Sequence, residues 1–136
     1  MNAQRLREIA RKHNIRVEND YRKIIKDETI HAVVIATSNE THPSIAIGAM
    51  KNGKDVFCEK PIATKLDLCR KVVEVARKEN RIFHTHFELR HSVIPARIKE
   101  IIEDGEIGSL RSLNLIHYRG PFRPPWKGKQ ILSGGL

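Results

Sequence analysis

The segment Glu59-Lys60-Pro61 carries the side chain best suited to chemistry in this sequence. It directly follows an apolar run that ends at Cys58, so Lys60 is expected where a buried strand reaches the surface. Pro61 limits the freedom of the backbone there, and desolvation can tune the basicity of an amine held against a ligand. A lysine in this position can act as a general acid or base. The alternative is a solvated loop lysine that pairs with Glu59.

A second group of hydrogen-bonding side chains follows another strand-like run, between Thr37 and His42. Asn39 and His42 could contact a nucleotide. They could equally satisfy the polar groups of the loop and the free amides at the start of the following helix. Spacing alone leaves both interpretations open.

His84 and His86 are separated by one residue in a strand-like segment, so both are expected on one face of the strand. This arrangement can chelate a metal, but spacing places no cysteine, aspartate or third histidine beside the pair. We therefore predict ordinary strand histidines and no metal site.

Apolar periodicity and helix punctuation predict the elements that position these side chains. Helical spacing, with Gly53 and Asn80 as stop signals, predicts amphipathic helices, and short β-branched runs predict strands. The predicted order is helices at 3–13 and about 21–25, a strand at 32–36, a helix at 43–52, a strand at 55–58, a helix at about 64–79, a strand at 81–87 and a helix at 92–104.

Alternating strands and helices are typical of βαβ units, which build an open parallel sheet with flanking helices. The sequence therefore predicts the α/β class. The continuous apolar run Ala32-Val33-Val34-Ile35-Ala36 reads as a strand covered on both faces. Such sheets bind ligands outside the carboxyl ends of their strands, so function is expected in the loops that follow them. The last predicted helix is expected to turn Ile94, Ile98, Ile101 and Ile102 inward.

The pattern changes after Gly108, where apolar and polar residues are mixed through Tyr118 as in a strand of a one-sided sheet. We therefore divide the chain into residues 1–108 and residues 109–136, the second being the start of another α/β domain. Within it, Trp126 and Lys127 could line a sugar-sized pocket, although a single tryptophan in a proline-rich loop often serves only packing.

Composition excludes several functional classes. The chain has 136 residues, the length of one ordinary domain, with 25 Lys and Arg against 16 Asp and Glu for a net charge of +9. Basic residues alternate with acids along the predicted helices and few aromatics accompany them, so no nucleic-acid partner is expected. No apolar run approaches a membrane span or a signal core, and Cys58 and Cys69 do not form a disulfide or zinc framework. We expect a cytoplasmic protein without a membrane partner.

Taken in order, three segments resemble the Gfo/Idh/MocA oxidoreductases. They are VVIAT.N..H at residues 33–42, GK.V.CEKP at residues 53–61, and residues 86–90. The resemblance is collinear along essentially the whole chain. It implies a partial Rossmann-like domain that binds NAD or NADP, followed by the first strand of a second α/β domain. It also implies hydride transfer between the nicotinamide and a carbinol carbon of a sugar, cyclitol or related polyol, in what we expect to be a homo-oligomer.

The resemblance also implies roles for individual residues. Lys60 positions cofactor and substrate and assists proton transfer. Arg90 lies near the nicotinamide, and the remaining residues implied to bind the cofactor are Thr37, Asn39, His42, Glu59 and Pro61. Trp126 and Lys127 fall where the second domain approaches the substrate.

Two parts of the family pattern have no counterpart here. The glycine-rich pyrophosphate turn and the residue that reads the ribose are expected before residue 1, and a histidine and aspartate are expected after Leu136. We therefore interpret the chain as truncated and expect it to be inactive alone. Because Val33, Val34 and Ile35 would then form an exposed sheet edge, we also expect marginal stability or self-association. The alternative function is a non-catalytic fragment or subunit that associates through this edge.

Overall fold

Three parallel strands and the helices that connect them form the fold, as the sequence predicts. The computed structural model describes residues 3–116 and 118. Single turns of 3₁₀-helix occupy Asn39–Thr41 and Glu88–His91. The other elements are α1 (Ala3–His13), α2 (Tyr21–Lys26), β1 (Ala32–Ile35), α3 (His42–Lys51), β2 (Asp55–Glu59), α4 (Leu66–Lys78), β3 (Phe83–His86) and α5 (Val93–Glu103).

The strands lie in the order β1-β2-β3, and both neighbouring pairs are parallel. Ile35 is opposite Cys58, which is opposite Thr85, so the three strands end close to one line. Parallel neighbours require a crossover connection, and α3 and α4 supply the two crossovers. The loops that follow the strands therefore meet at one edge of the sheet.

Residues that favour helix starts and stops account for the lengths of the crossover helices α3 and α4. Pro43 lies in the first turn of α3, where its missing amide proton costs no hydrogen bond. Gly53 follows α3 with a φ of 74°, and Asn80 follows α4 with a φ of 51°. Both residue types tolerate this left-handed conformation, which confirms their prediction as helix stops.

The core lies between one face of the sheet and helices α3 and α4. Ala49, Cys58 and Val72 have no exposed surface, and each comes from a different one of these elements. The other buried members of this cluster are Ile25, Ile35, Ile45, Ala46, Met50, Val56 and Val75. Burial of these side chains is the main force that holds both crossover helices on the sheet.

The opposite face of the sheet is exposed in the described part of the chain. Val34, Phe57 and His84 form a row across it in direct register, and Val34 is 74% exposed. The prediction that the first strand is covered on both faces is therefore wrong for the described residues. An apolar run indicates what a strand can bury, but the cover itself must come from other segments.

The C-terminal part of the described chain also differs from expectation. Ile94 and Ile98 are 73% and 44% exposed, whereas Ile101 and Ile102 are partly buried, so the predicted inward face of α5 is only partly covered. α5 instead contacts the 3₁₀-helical turn at residues 88–91. Residues 111–116 have no regular secondary structure, so the strand predicted after Gly108 is not formed there. A strand is stabilised by a neighbouring strand, and the sheet of the described residues ends at β3.

The division at residue 108 stays a prediction, and Trp126 and Lys127 lie outside the described residues. Within the described part of the chain, every helix is too short or too polar to cross a membrane.

Adjacent valines of α4 test the position of the core. Val72 is completely buried and Val73 is 37% exposed. We expect Val72→Ala to lower the free energy of unfolding by about 2 kcal/mol, since it removes buried methyl groups and leaves a cavity. The matched change Val73→Ala should cost less than about 0.5 kcal/mol. Urea unfolding followed by circular dichroism measures both, and equal losses would contradict the packing described.

The two cysteines should differ in reactivity. Burial raises the pKa of the Cys58 thiol to about 11, and the adjacent Glu59 carboxylate adds to the rise. Cys69 is only partly buried. A rise of two pKa units lowers the reactive thiolate fraction about 100-fold. We therefore expect a disulfide reagent at pH 8 to modify Cys69 well before Cys58 in the native chain.

The control for this experiment is Cys69→Ser, which leaves Cys58 as the remaining thiol. This variant should react slowly in native buffer and rapidly in urea. Fast reaction of the native variant would show that Cys58 is not held in the core.

Candidate functional site

The candidate site is built from the three loops that follow the strands. The first loop follows Ile35 and includes Thr37, the second contains Lys60 and Pro61 directly after Glu59, and the third runs from residue 87 to residue 91. Side-chain contacts connect the second loop to both of the others. The structure therefore brings most of the predicted site residues to one edge of the sheet.

Glu59 is held by a histidine on the neighbouring strand. Its Oε1 atom lies 2.8 Å from Nδ1 of His86, and the two residues are register partners. Both side chains are 39% exposed, so the contact is partly shielded from water. The sequence does not predict this pair, because it depends on the register between two strands. Glu59 thus has an orienting partner at the end of the sheet.

Lys60 is paired with Glu88 of the third loop. Its Nζ atom lies 3.8 Å from Oε1 of Glu88, and the two side chains are 39% and 46% exposed. An ion pair of this length and exposure contributes little, about 0–1 kcal/mol. The ammonium group therefore keeps access to a ligand while a carboxylate stays beside it. The pairing with Glu59 that the sequence offers as an alternative is replaced by this one.

A cavity of about 250 Å³ opens beside this pair. Lys60, Glu88 and Arg90 supply charged groups, and Phe87 and Leu89 supply apolar surface. The Arg90 guanidinium lies 5.5 Å from the centre of the Phe87 ring, a distance at which cation and ring attract. Two cations, one carboxylate and an apolar wall can hold a polar organic ligand and orient its hydroxyl or carbonyl groups.

A larger cavity of about 540 Å³ lies away from the strand ends and contains none of the predicted site residues. Its four charged side chains already pair with one another. Arg16 lies 2.7 Å from Asp27, and Lys23 lies 3.5 Å from Glu18. This cavity has fewer groups available to a ligand, so the smaller one is the better candidate.

The first loop is organised by its own hydroxyl groups. Oγ1 of Thr37 lies 2.6 Å from Oγ1 of Thr41, and Thr41 also donates to the carbonyl oxygen of Ser38. The side chain of Thr37 is exposed and that of Asn39 is partly buried. Both predicted residues therefore lie at the edge of the sheet that carries Lys60.

His42 occupies a different position, inside the structure. Its ring is 1% exposed, with Nδ1 2.8 Å from the carbonyl oxygen of Pro61 and Nε2 3.2 Å from that of Thr37. A cis peptide bond joins Lys60 to Pro61. Of the two interpretations left open by the sequence, this geometry favours an internal role for the ring, because both nitrogens already face backbone oxygens.

His84 and His86 lie on one face of β3, as predicted, and both rings contact Phe57. The ring centres are 5.1 Å and 5.3 Å from that of Phe57. Among the described residues, no group of three or more His, Cys, Asp or Glu side chains could hold a metal ion. Ring packing and the hydrogen bond to Glu59 account for these histidines.

Comparison with known proteins relates this arrangement to one family. The inositol 2-dehydrogenase of Salmonella typhimurium is 35% identical over 115 residues, covering 84% of this chain and 34% of that protein. The myo-inositol 2-dehydrogenase of Thermotoga maritima is 33% identical over 135 residues, covering 97% of this chain and 39% of that protein. The chain thus spans about a third of the length of these relatives.

Comparison of the fold with solved structures leads to the same group of dehydrogenases. A levoglucosan dehydrogenase solved in complex with NADH and levoglucosan superposes with a TM-score of 0.79 at 29% identity, covering 98% of this chain and 38% of that one. The family described as an oxidoreductase family with an NAD-binding Rossmann fold matches residues 1–87. The parallel sheet is therefore part of an NAD-binding Rossmann domain, and the chain belongs to the Gfo/Idh/MocA oxidoreductase family.

Proposed function

We propose that this chain is part of an enzyme that transfers a hydride between NAD or NADP and a carbinol carbon of a sugar, cyclitol or related polyol. The observation that carries the proposal is the cavity shared by Lys60 and Arg90 at the carboxyl edge of a parallel sheet. Family membership and the inositol and levoglucosan dehydrogenases among its relatives support the substrate class.

The residues at this edge fit a nicotinamide cofactor. Phe87 and Leu89 offer apolar surface for a ring, and Lys60 and Arg90 offer donors for its polar substituents. When bound, the nicotinamide supplies or accepts the hydride. Thr37 and Asn39 lie on the adjoining loop, where contacts to the rest of the dinucleotide are expected.

Lys60 would move the proton that accompanies the hydride. As the carbinol carbon loses a hydride, its hydroxyl oxygen must lose a proton, and a neutral lysine amine can accept it. In the reverse direction the ammonium returns the proton to the carbonyl oxygen. Arg90 would orient the polar substituents, while Glu59 and Pro61 hold the segment that carries Lys60.

Trp126 and Lys127 are proposed as substrate contacts, in a second domain that begins at residue 109.

We also propose a cytoplasmic location, since the cofactor and the reduced cysteines suit that compartment.

Titration of NADH and NADPH into the purified chain, followed by nucleotide fluorescence, tests the proposed cofactor site. We expect saturable binding that Lys60→Ala weakens at least about threefold, since one cationic contact is removed. The matched control is Lys71→Ala, which removes an exposed lysine from α4. Equal effects of the two variants would contradict the assignment of Lys60 to the site.

A second candidate function is a non-catalytic fragment or subunit that assembles through the edge of the sheet. β1 pairs with β2 on one side, and the sheet of the described residues ends at β1 on the other. The exposed Val34 adds apolar surface next to this edge. An uncovered strand of this kind is a template for another chain, and it supports the homo-oligomer proposed here.

Sedimentation velocity tests this assembly. We expect the chain to form a concentration-dependent homo-oligomer, and we expect Val34→Lys to shift it toward monomer because an edge lysine opposes strand pairing. The matched control Val73→Lys places the same charge on α4. A monomer that unfolds cooperatively at high temperature would exclude assembly through this edge.

A further inference from the structure

His42 connects two loops of the candidate site from inside the fold. It is the first residue of α3, and its side chain is among the most deeply buried of the described residues. One ring nitrogen faces the carbonyl oxygen of Thr37 and the other faces that of Pro61. These two carbonyl groups belong to the loops after β1 and β2, so the ring bridges the ends of neighbouring strands.

The His42 ring contacts the two loops beyond the last paired residues of β1 and β2. The last register pair of β1 and β2 is Ile35 with Cys58. Among the described residues, the register of β1 and β2 assigns no partners beyond that pair. The imidazole ring of His42 fills this position with a direct contact to each loop.

The shorter of the two contacts favours one donor atom. A carbonyl oxygen only accepts hydrogen bonds, and the 2.8 Å contact with Pro61 favours a proton on Nδ1. Nε2 faces the carbonyl oxygen of Thr37 at 3.2 Å. At 1% exposure, water cannot replace either contact.

The residues on both sides of Lys60 are therefore anchored. Glu59 is held through its side chain by His86, and Pro61 is held through its backbone carbonyl by His42. Among the described residues, Lys60 pairs only with Glu88, at 3.8 Å and partly exposed to solvent. The position of the Lys60 amine therefore depends more on the contacts that hold Glu59 and Pro61 than on its own pair with Glu88.

We propose that His42 is a positioning residue for Lys60, acting through the carbonyl group of Pro61. The proposal rests on the proposed function, in which Lys60 contacts cofactor and substrate. It assigns His42 no direct contact with either ligand.

A double-mutant cycle with NADH tests the link to Lys60. His42→Leu keeps the approximate volume of the side chain and removes both ring nitrogens, and we expect it to weaken NADH binding at least about threefold. The same change in the Lys60→Ala background should have little further effect. His42→Gln retains an amide donor and should recover part of the affinity, and the exposed His31→Gln is the matched control. Equal losses from His42→Leu in both backgrounds would overturn the proposal.

Nuclear magnetic resonance of the full chain tests the same contact without cofactor. We expect a proton on Nδ1 of His42, detected through its coupling to the ring nitrogen. We also expect the Lys60 side-chain resonances to shift in His42→Gln and to stay unchanged in His31→Gln. A ring protonated on Nε2 alone, or unchanged Lys60 resonances, would overturn the proposal. Absence of NADH binding with these signals present would reject a cofactor site formed by this chain and leave the positioning role standing.

Discussion

Parallel pairing of the three strands is the constraint on which the candidate site depends. It directs every carboxyl end to one edge, and it forces the chain to return through α3 and α4 before the next strand begins. These helices bury one face of the sheet against Ala49 and Val72. The hydrophobic core therefore fixes the spacing of the three loops, and their polar groups meet as a consequence of the packing beneath them.

At this edge of the sheet, the residues that fix the backbone around Lys60 differ from the residue that pairs with its amine. A buried hydrogen bond such as that of His42 contributes about 1 kcal/mol, and leaving its partner unsatisfied costs about 1–3 kcal/mol. The exposed pair of Lys60 with Glu88 contributes less than this. The backbone around Lys60 is thus held firmly while its amine is held weakly. A group that must exchange protons with a ligand needs this combination, because a strongly paired amine would have to break its pair first.

The sequence predicts the elements of this fold better than their contacts. Pro43, Gly53 and Asn80 mark helix limits through local backbone preferences, so the strands and crossover helices follow from spacing alone. The partners of Glu59 and Lys60 depend on register between segments far apart in the chain, which no local pattern encodes.

Burial is predicted less well, for a related reason. The apolar run through Val34 and the apolar face of α5 indicate surfaces that can be buried, and the structure leaves part of each exposed in the described residues. The periodicity of apolar residues shows which face of a helix or strand can be buried. Whether that face is covered depends on other segments of the chain. The location of the candidate site is easier to predict than the burial of side chains, because the site lies where the strands end.

The charges around the cavity bear on what it can hold. Among the described residues that line the cavity, Lys60 and Arg90 are cationic and Glu88 is anionic, so their formal charges sum to +1. A single positive charge suits the neighbourhood of a dinucleotide, whose phosphates are anionic, without demanding an anionic substrate. Glu88 adds an acceptor that a neutral alcohol can use, and Lys60 adds a donor. Because donors and acceptors lie side by side in this cavity, adjacent hydroxyl groups of one molecule would find a partner of each kind there.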